Sequence, residues 1–265
     1  VALTSPSELL AFLDQLGVRP KKGLSQNFLI DANALAKIIQ TARLCPGDHL
    51  LEIGPGPGAL TEALLKHPVS LIAIEKDPIF ANALSRFPSV HVHQGDFLKI
   101  DLAPLLAFPT KIVANIPYSI TTLILERLID HHPQILSATL LVQKEFADRI
   151  LAEKGRDVGS ISHFIRYYAI PSLGGIVKRS CFFPAPRVDS AILHLTFRPP
   201  PPLPPQFFFP PIRAAFQQRR KTLGRTLRSF PGLQLGLEEL GFSLRTRPEE
   251  LTFNDWLSLL SKRTK

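Results

Sequence analysis

"HLLEIGPGPGALTEALLK", residues 49–66, joins a short apolar run to a helical pattern through three glycines. "HLLEI" (49–53) reads as a buried strand, and "ALTEALLK" (59–66) repeats its apolar residues at helical spacing. Gly54, Gly56 and Gly58 permit a tight turn between the two and let a ligand approach the backbone closely. Gly54, Gly56 and Ala59 also satisfy the dinucleotide-loop spacing G-x-G-x-x-G/A. Strand, glycine turn and helix in that order predict an α/β chain whose first sheet strand opens onto a ligand site.

Outward from that stretch the alternation continues. "VSLIAI" (69–74), "VHVH" (90–93), "KIVAN" (111–115) and "ATLLV" (138–142) read as further strands, with "TTLILERLIDHH" (121–132) as a helix between two of them. Strand–helix–strand alternation implies a Rossmann-like, mostly parallel sheet with helices on both faces. "AILHLTF" (191–197) reads as a later strand that closes it. "PPPPLPP" (199–205) can continue neither a helix nor a central strand, so it reads as a stiff linker. The expected organisation is one domain over 1–198 and a small helical domain over 206–265. In the latter, Ile212, Phe216, Leu223, Leu227 and Phe230 form a stripe that predicts one long helix. Thr246 and Thr252, each followed three residues later by an acid, predict two helix starts.

Totals narrow the class. The 265 residues carry 31 Lys plus Arg against 22 Asp plus Glu, an excess that favours a polyanionic partner. No apolar run reaches membrane-span length, and the first thirty residues carry no signal-peptide pattern. The expectation is therefore a cytoplasmic monomer that avoids membranes. Cys45 and Cys181, the only cysteines, stand in no metal-ligand spacing and read as small buried hydrophobes.

Glu75 ends the second strand, about 20 residues beyond Gly54, where a carboxylate accepts from ribose hydroxyls. A ribose-bearing cofactor follows, either NAD or S-adenosylmethionine. Glu52, in the strand before the glycines, would repel a pyrophosphate and attract a cationic sulfonium. Asp96, in "QGDFL" (94–98), can accept from the exocyclic amine of an adenine, and Phe97 can pack on its ring. The fourth strand ends in "NIPY" (115–118), on the same crevice. An exocyclic amine on a ring is a poor nucleophile because its lone pair is delocalised. The Asn115 side-chain oxygen and the Ile116 carbonyl would grip its N–H groups, Pro117 would stiffen the turn, and Tyr118 would stack on the base. That constellation points to a methyltransferase.

Across nearly its whole length the chain resembles the KsgA-type rRNA adenine dimethyltransferases. "KKGLSQNFLID", "LEIGPGPGALT", "IEKDP", "GDF", "NIPY", "VQKEFADRI", "FFPAPRVDSAIL" and "FQQRRKTL" follow in that family's order. The resemblance implies a class I methyltransferase fold. It also implies transfer of methyls from S-adenosylmethionine to N6 of two adjacent adenosines near the 3′ end of small-subunit rRNA, within a ribosomal particle. By position it implies cofactor contacts at Asn27, Leu29, Gly54, Gly56, Glu75, Asp96 and Asn115, and a target-base loop from Asn115 to Tyr118. Phe182 would sandwich the adenine opposite Tyr118. Ser25 and Gly224 depart from the family's usual residues, the second in a region expected to touch RNA.

Arg220, Lys221, Arg225 and Arg228 are the densest basic cluster, and residues 213–230 contain no acid, which suits a phosphate-binding face. On one helix Lys221, Arg225 and Arg228 would share a side. Two rival readings keep the same fold: an adenine methyltransferase of large-subunit rRNA, and a non-catalytic assembly or transcription factor.

Overall fold

A computed structural model describes residues 3–20 and 26–262. Lys21, Lys22 and Ser25 lie outside the described residues. In chain order the elements begin with α1 (Pro6–Gln15), β1 (Phe28–Leu29), α2 (Ala32–Ala42), β2 (His49–Ile53) and α3 (Ala59–Leu64). They continue with β3 (Ser70–Glu75), α4 (Pro78–Ala83), β4 (Val90–Gln94), β5 (Thr110–Asn115), α5 (Thr121–Asp130) and β6 (Ile135–Gln143). Then come α6 (Lys144–Leu151), α7 (Ser160–Tyr168), β7 (Ala169–Val177), β8 (Phe182–Phe183) and β9 (Ser190–Phe197). Four helices follow: α8 (Pro205–Gln217), α9 (Leu223–Thr226), α10 (Leu233–Glu239) and α11 (Phe253–Ser261). Among the described residues no helix is long and apolar enough to cross a membrane.

Seven strands form one sheet in the order β4-β3-β2-β5-β6-β9-β7, and β1 pairs separately with β8. β2 to β6 pair in parallel, while β9 runs antiparallel to β6. From β2 the chain moves outward through β3 and β4, then returns to lay β5 on the other side of β2. That reversal makes the carboxyl ends of β2 and β5 the topological switch point, where α/β sheets bind ligands. The sheet interior is apolar because β2, β5 and β6 are buried on both faces.

The five strands read from the alternation are present within a few residues, and "AILHLTF" is β9. β7 is not visible as a pattern because "AIPSLGGIV" holds a proline and two glycines. An edge strand tolerates both, since one of its sides makes no ladder. Local signals place the helix starts well. Asp31 caps α2 by accepting from Ala34 N at 2.7 Å, and Asp77 caps α4 by accepting from Ile79 N at 3.0 Å. Thr252 and Asp255 form a reciprocal box that opens α11.

Two compact units divide the chain: 1–147 with 172–197, and 148–171 with 198–265. The second is therefore larger than the expected 206–265. Its core joins Tyr167 of α7 to Phe208, Ile212, Leu223, Leu237 and Trp256. The proline run belongs to this unit: Leu203 is buried there, and its carbonyl accepts from Tyr167 Oη at 2.6 Å.

Two expectations for this region need correction. The long helix breaks, because α8 ends at Gln217 and α9 begins only at Leu223. The apolar stripe is real, but tertiary packing gathers it from two helices and a turn. "TRPEEL" forms only a single 3-10 turn over Pro248–Glu250, with Glu250 Oε1 accepting from Arg247 N at 2.8 Å. Gly224, the departure in the basic region, has a structural cause. A Cβ there would stand 2.8 Å from the Leu244 carbonyl oxygen, to which Gly224 N itself donates. In the first unit Cys45 is exposed rather than buried, in the turn before β2.

Candidate active site

β2 ends at Ile53 and the chain turns through the glycines into α3. Gly54 leaves open space above its Cα. Gly56, at φ 54°, turns its N–H onto Glu75 Oε2 at 2.9 Å. A side chain at this φ would be strained, and its Cβ would press on the Phe28 ring at 3.2 Å. Glu75 Oε1 accepts from Asp77 N at 2.7 Å, so two backbone donors orient the carboxylate at the end of β3. Burial raises its pKa, and the N–H groups of Asp77 and Gly56 work against that rise.

These residues line a cavity of about 270 Å³ at the switch point. Asn27, Leu29, Gly54, Gly56, Glu75 and Asp96 share its wall with the Asn115–Tyr118 loop. Every expected cofactor and base-loop residue is thus brought together except Phe182. That ring is 3 % exposed and packs in the core with Leu29, Leu35 and Ile38. The cause is the β1–β8 pairing, which sets Phe182 opposite Leu29 and Phe183 opposite Phe28. Phe182 therefore sits in the core in this structure and not in the cavity wall, where the resemblance would place it.

Glu52 is 1 % exposed and also borders the cavity, with Oε2 accepting from Thr61 Oγ1 at 2.7 Å. Burial pushes its carboxyl up to about 8, with Thr61 opposing the rise and nearby Glu75 adding to it. Asp96 behaves oppositely. Its Oδ2 accepts from Lys76 Nζ at 3.0 Å and its Oδ1 from Leu98 N at 3.0 Å, and the lysine holds the carboxyl below its usual range. Phe97, beside it, is buried and lines the cavity.

The base loop is tied down from two sides. Asn115 Nδ2 donates to the Asn27 carbonyl at 3.0 Å, which leaves the side-chain oxygen as the acceptor. Tyr118 Oη lies 2.5 Å from Ser190 Oγ, at the start of β9. Neither tie is visible as a spacing, since their partners are 88 and 72 positions apart. "FFPAPRVDSAIL" contains Ser190, but only as part of a matched block. Leu3 and Leu9, which close the cavity from the N-terminal segment, also carried no signal.

The cavity fits S-adenosylmethionine. Glu75 in its wall can accept from ribose hydroxyls, Glu52, kept protonated by burial, is a carboxyl whose ionised form a cationic ligand would favour, and the open face of Gly54 admits a close ligand. In the second unit Arg220, Lys221, Arg225 and Arg228 are all exposed. Lys221 precedes α9 instead of extending its face, so the four charges come from turns and a short helix, not from one helical side.

Fold and cavity together define a Rossmann-like methyltransferase of the class I type. The chain matches the pattern of the family described as ribosomal RNA adenine dimethylase over residues 17–261, and it belongs to that family. A ribosomal RNA small subunit methyltransferase A from Protochlamydia amoebophila is 42 % identical over 269 residues, covering 96 % of this chain and 95 % of that protein. The crystal structure of a dimethyladenosine transferase from Plasmodium falciparum superposes with TM-score 0.76 at 27 % identity, covering 89 % of this chain and 98 % of its own. The 23S rRNA methyltransferase ErmE superposes with TM-score 0.75 at 28 % identity, covering 90 % of this chain and all of its own.

Proposed function

We propose that this protein dimethylates N6 of two adjacent adenosines near the 3′ end of small-subunit rRNA, using S-adenosylmethionine, as a cytoplasmic monomer acting on a ribosomal particle. The observation that carries the reading is the pairing of the Glu75–Gly56 cofactor corner with the Asn115–Tyr118 loop in one cavity. Small-subunit rRNA is favoured over large-subunit rRNA by the near-full-length relative at 42 % identity, against 28 % for ErmE.

Bound S-adenosylmethionine supplies an electrophilic methyl on a sulfonium sulfur. Glu75 holds the ribose, Asp96 and Phe97 the adenine, and Asn27 and Leu29 the near side of the cofactor. Asn115 Oδ1 and the Ile116 carbonyl accept from the target amine, drawing its lone pair out of conjugation. Tyr118 stacks on the base and Pro117 sets the turn. No strong base is required, because the amine proton becomes acidic once nitrogen carries the new methyl and then leaves to solvent. Positioning and exclusion of water carry the acceleration. Arg220, Lys221, Arg225 and Arg228 bind rRNA phosphates.

The test supplies labelled S-adenosylmethionine to small subunits that lack these methyls, with large subunits alongside. Label on two adjacent adenosines of the small subunit supports the proposal. Label only in large subunits, or cofactor binding with no transfer, overturns it.

A further inference from the structure

We propose that Ser190 is a positioning residue for methyl transfer, holding the Tyr118 ring in the orientation that receives the target base. This rests on the reading of the cavity given under Proposed function.

The topology brings the two together. β9 is antiparallel to β6, so its first residue arrives at the edge where β5 and β6 end. The register pairs Ser190 with Gln143, two residues beyond Leu141, which pairs with Asn115. Ser190 is fully buried, and its hydroxyl meets the phenol at 2.5 Å. Its neighbour Asp189 is fixed three ways. The Asp189 carboxylate accepts from Arg179 N at 3.0 Å and Lys178 Nζ at 2.9 Å, and its carbonyl accepts from Lys144 N at 3.0 Å. Ser190 is therefore a rigid post.

Tyr118 is held at both ends. Pro117, at φ −62°, feeds it into the 3-10 turn Tyr118–Ile120, and Ser190 grips the far end of the ring. A loose tyrosine would lose rotamer freedom on stacking, whereas this one has lost it before a base arrives. The same bond would satisfy the buried Ser190 hydroxyl and the half-buried phenol without any catalytic consequence, so the test separates these roles.

Full-length Ser190→Ala, Tyr118→Phe and the double variant are compared for cofactor affinity, for transfer to undermethylated small subunits, and by NMR with [13Cζ]tyrosine. The chain has three tyrosines, and in S190A only the Tyr118 signal should move, titrating higher still, because burial raises it and the Ser190 bond opposes that rise. S190A should bind cofactor as the wild type does and keep its KM for particles, with kcat down about tenfold, the effect of one lost hydrogen bond. The double variant should be no slower than Y118F, because both changes remove the same bond. Should S190A prove unstable, Y118F breaks that bond from the half-buried side. Wild-type kcat in S190A, or multiplicative losses in the double variant, overturns the role of Ser190 alone. Absence of transfer by the wild type overturns the function and this role with it.

Discussion

The side-chain amide of Asn115 donates to the backbone carbonyl of Asn27 at 3.0 Å, joining the base loop to the segment before β1. The same bond fixes which end of the amide is the donor, so the Asn115 oxygen is committed to accepting. Asn115→Asp replaces the donor with a carboxylate that faces a carbonyl. Asn115→Ala removes donor and acceptor together. Both should lower kcat by about 100-fold or more, in the range of a lost transition-state hydrogen bond. Rates of methyl transfer check this, with thermal melting to show an intact fold.

Glu75 takes N–H groups from Gly56 and Asp77, so it builds the glycine loop as well as standing where the proposed function puts the ribose. Glu75→Ala leaves two buried donors without their acceptor and removes the ribose partner. Affinity for S-adenosylmethionine should fall on the order of 10- to 100-fold by calorimetry. Transfer at saturating cofactor should recover in part.

Glu52 gives the apo protein a distinctive pH dependence. Its ordinary value is near 4.5, and burial pushes the folded value up to about 8. Between these values the unfolded chain has released the proton and the folded chain keeps it. The stability this group contributes is complete below about 4.5 and is lost as pH rises through about 8. Glu52→Gln stays neutral while still accepting from Thr61. Denaturation across that window should show a flatter decline for E52Q than for the wild type.

His163 sits 1 % exposed in the second unit against Phe216 and Trp256, and neither ring nitrogen has a hydrogen bond among the described residues. Burial lowers its value from 6.5 to about 3, with Arg166 adding to the effect. Its contribution to stability is present above about 6.5 and lost as pH falls toward about 3. His163→Leu should stabilise the chain by about 1–3 kcal/mol at neutral pH and flatten the acid limb of a denaturation series.

Reversal of Arg220, Lys221, Arg225 and Arg228 to Glu should weaken binding to small-subunit particles and leave cofactor affinity unchanged. The salt dependence should fall by roughly 0.7–0.9 in log–log slope for each rRNA phosphate that the variant no longer neutralises. Filter binding over a range of salt concentrations measures both.

Sequence alone determined the alternating α/β body, the glycine loop with Glu75, and the "NIPY" loop. Each depends on neighbours along the chain: apolar period, turn chemistry, and a spacing that one βαβ unit imposes. It also marked the Thr252 cap of α11, because a cap bonds within three residues of itself. Only the tertiary structure decided that residues 148–171 join the second unit, because Tyr167 is buried against residues some forty positions on. It likewise broke the 210–230 helix between Gln217 and Leu223, where Leu223 N and Gly224 N donate to the Thr246 and Leu244 carbonyls instead of back along a helix. Phe182 went to the core through its pairing with Leu29, and Ser190 came to Tyr118 through an antiparallel strand. Such pairings leave no periodic trace, since the sheet's strand order, and not the distance along the chain, creates them.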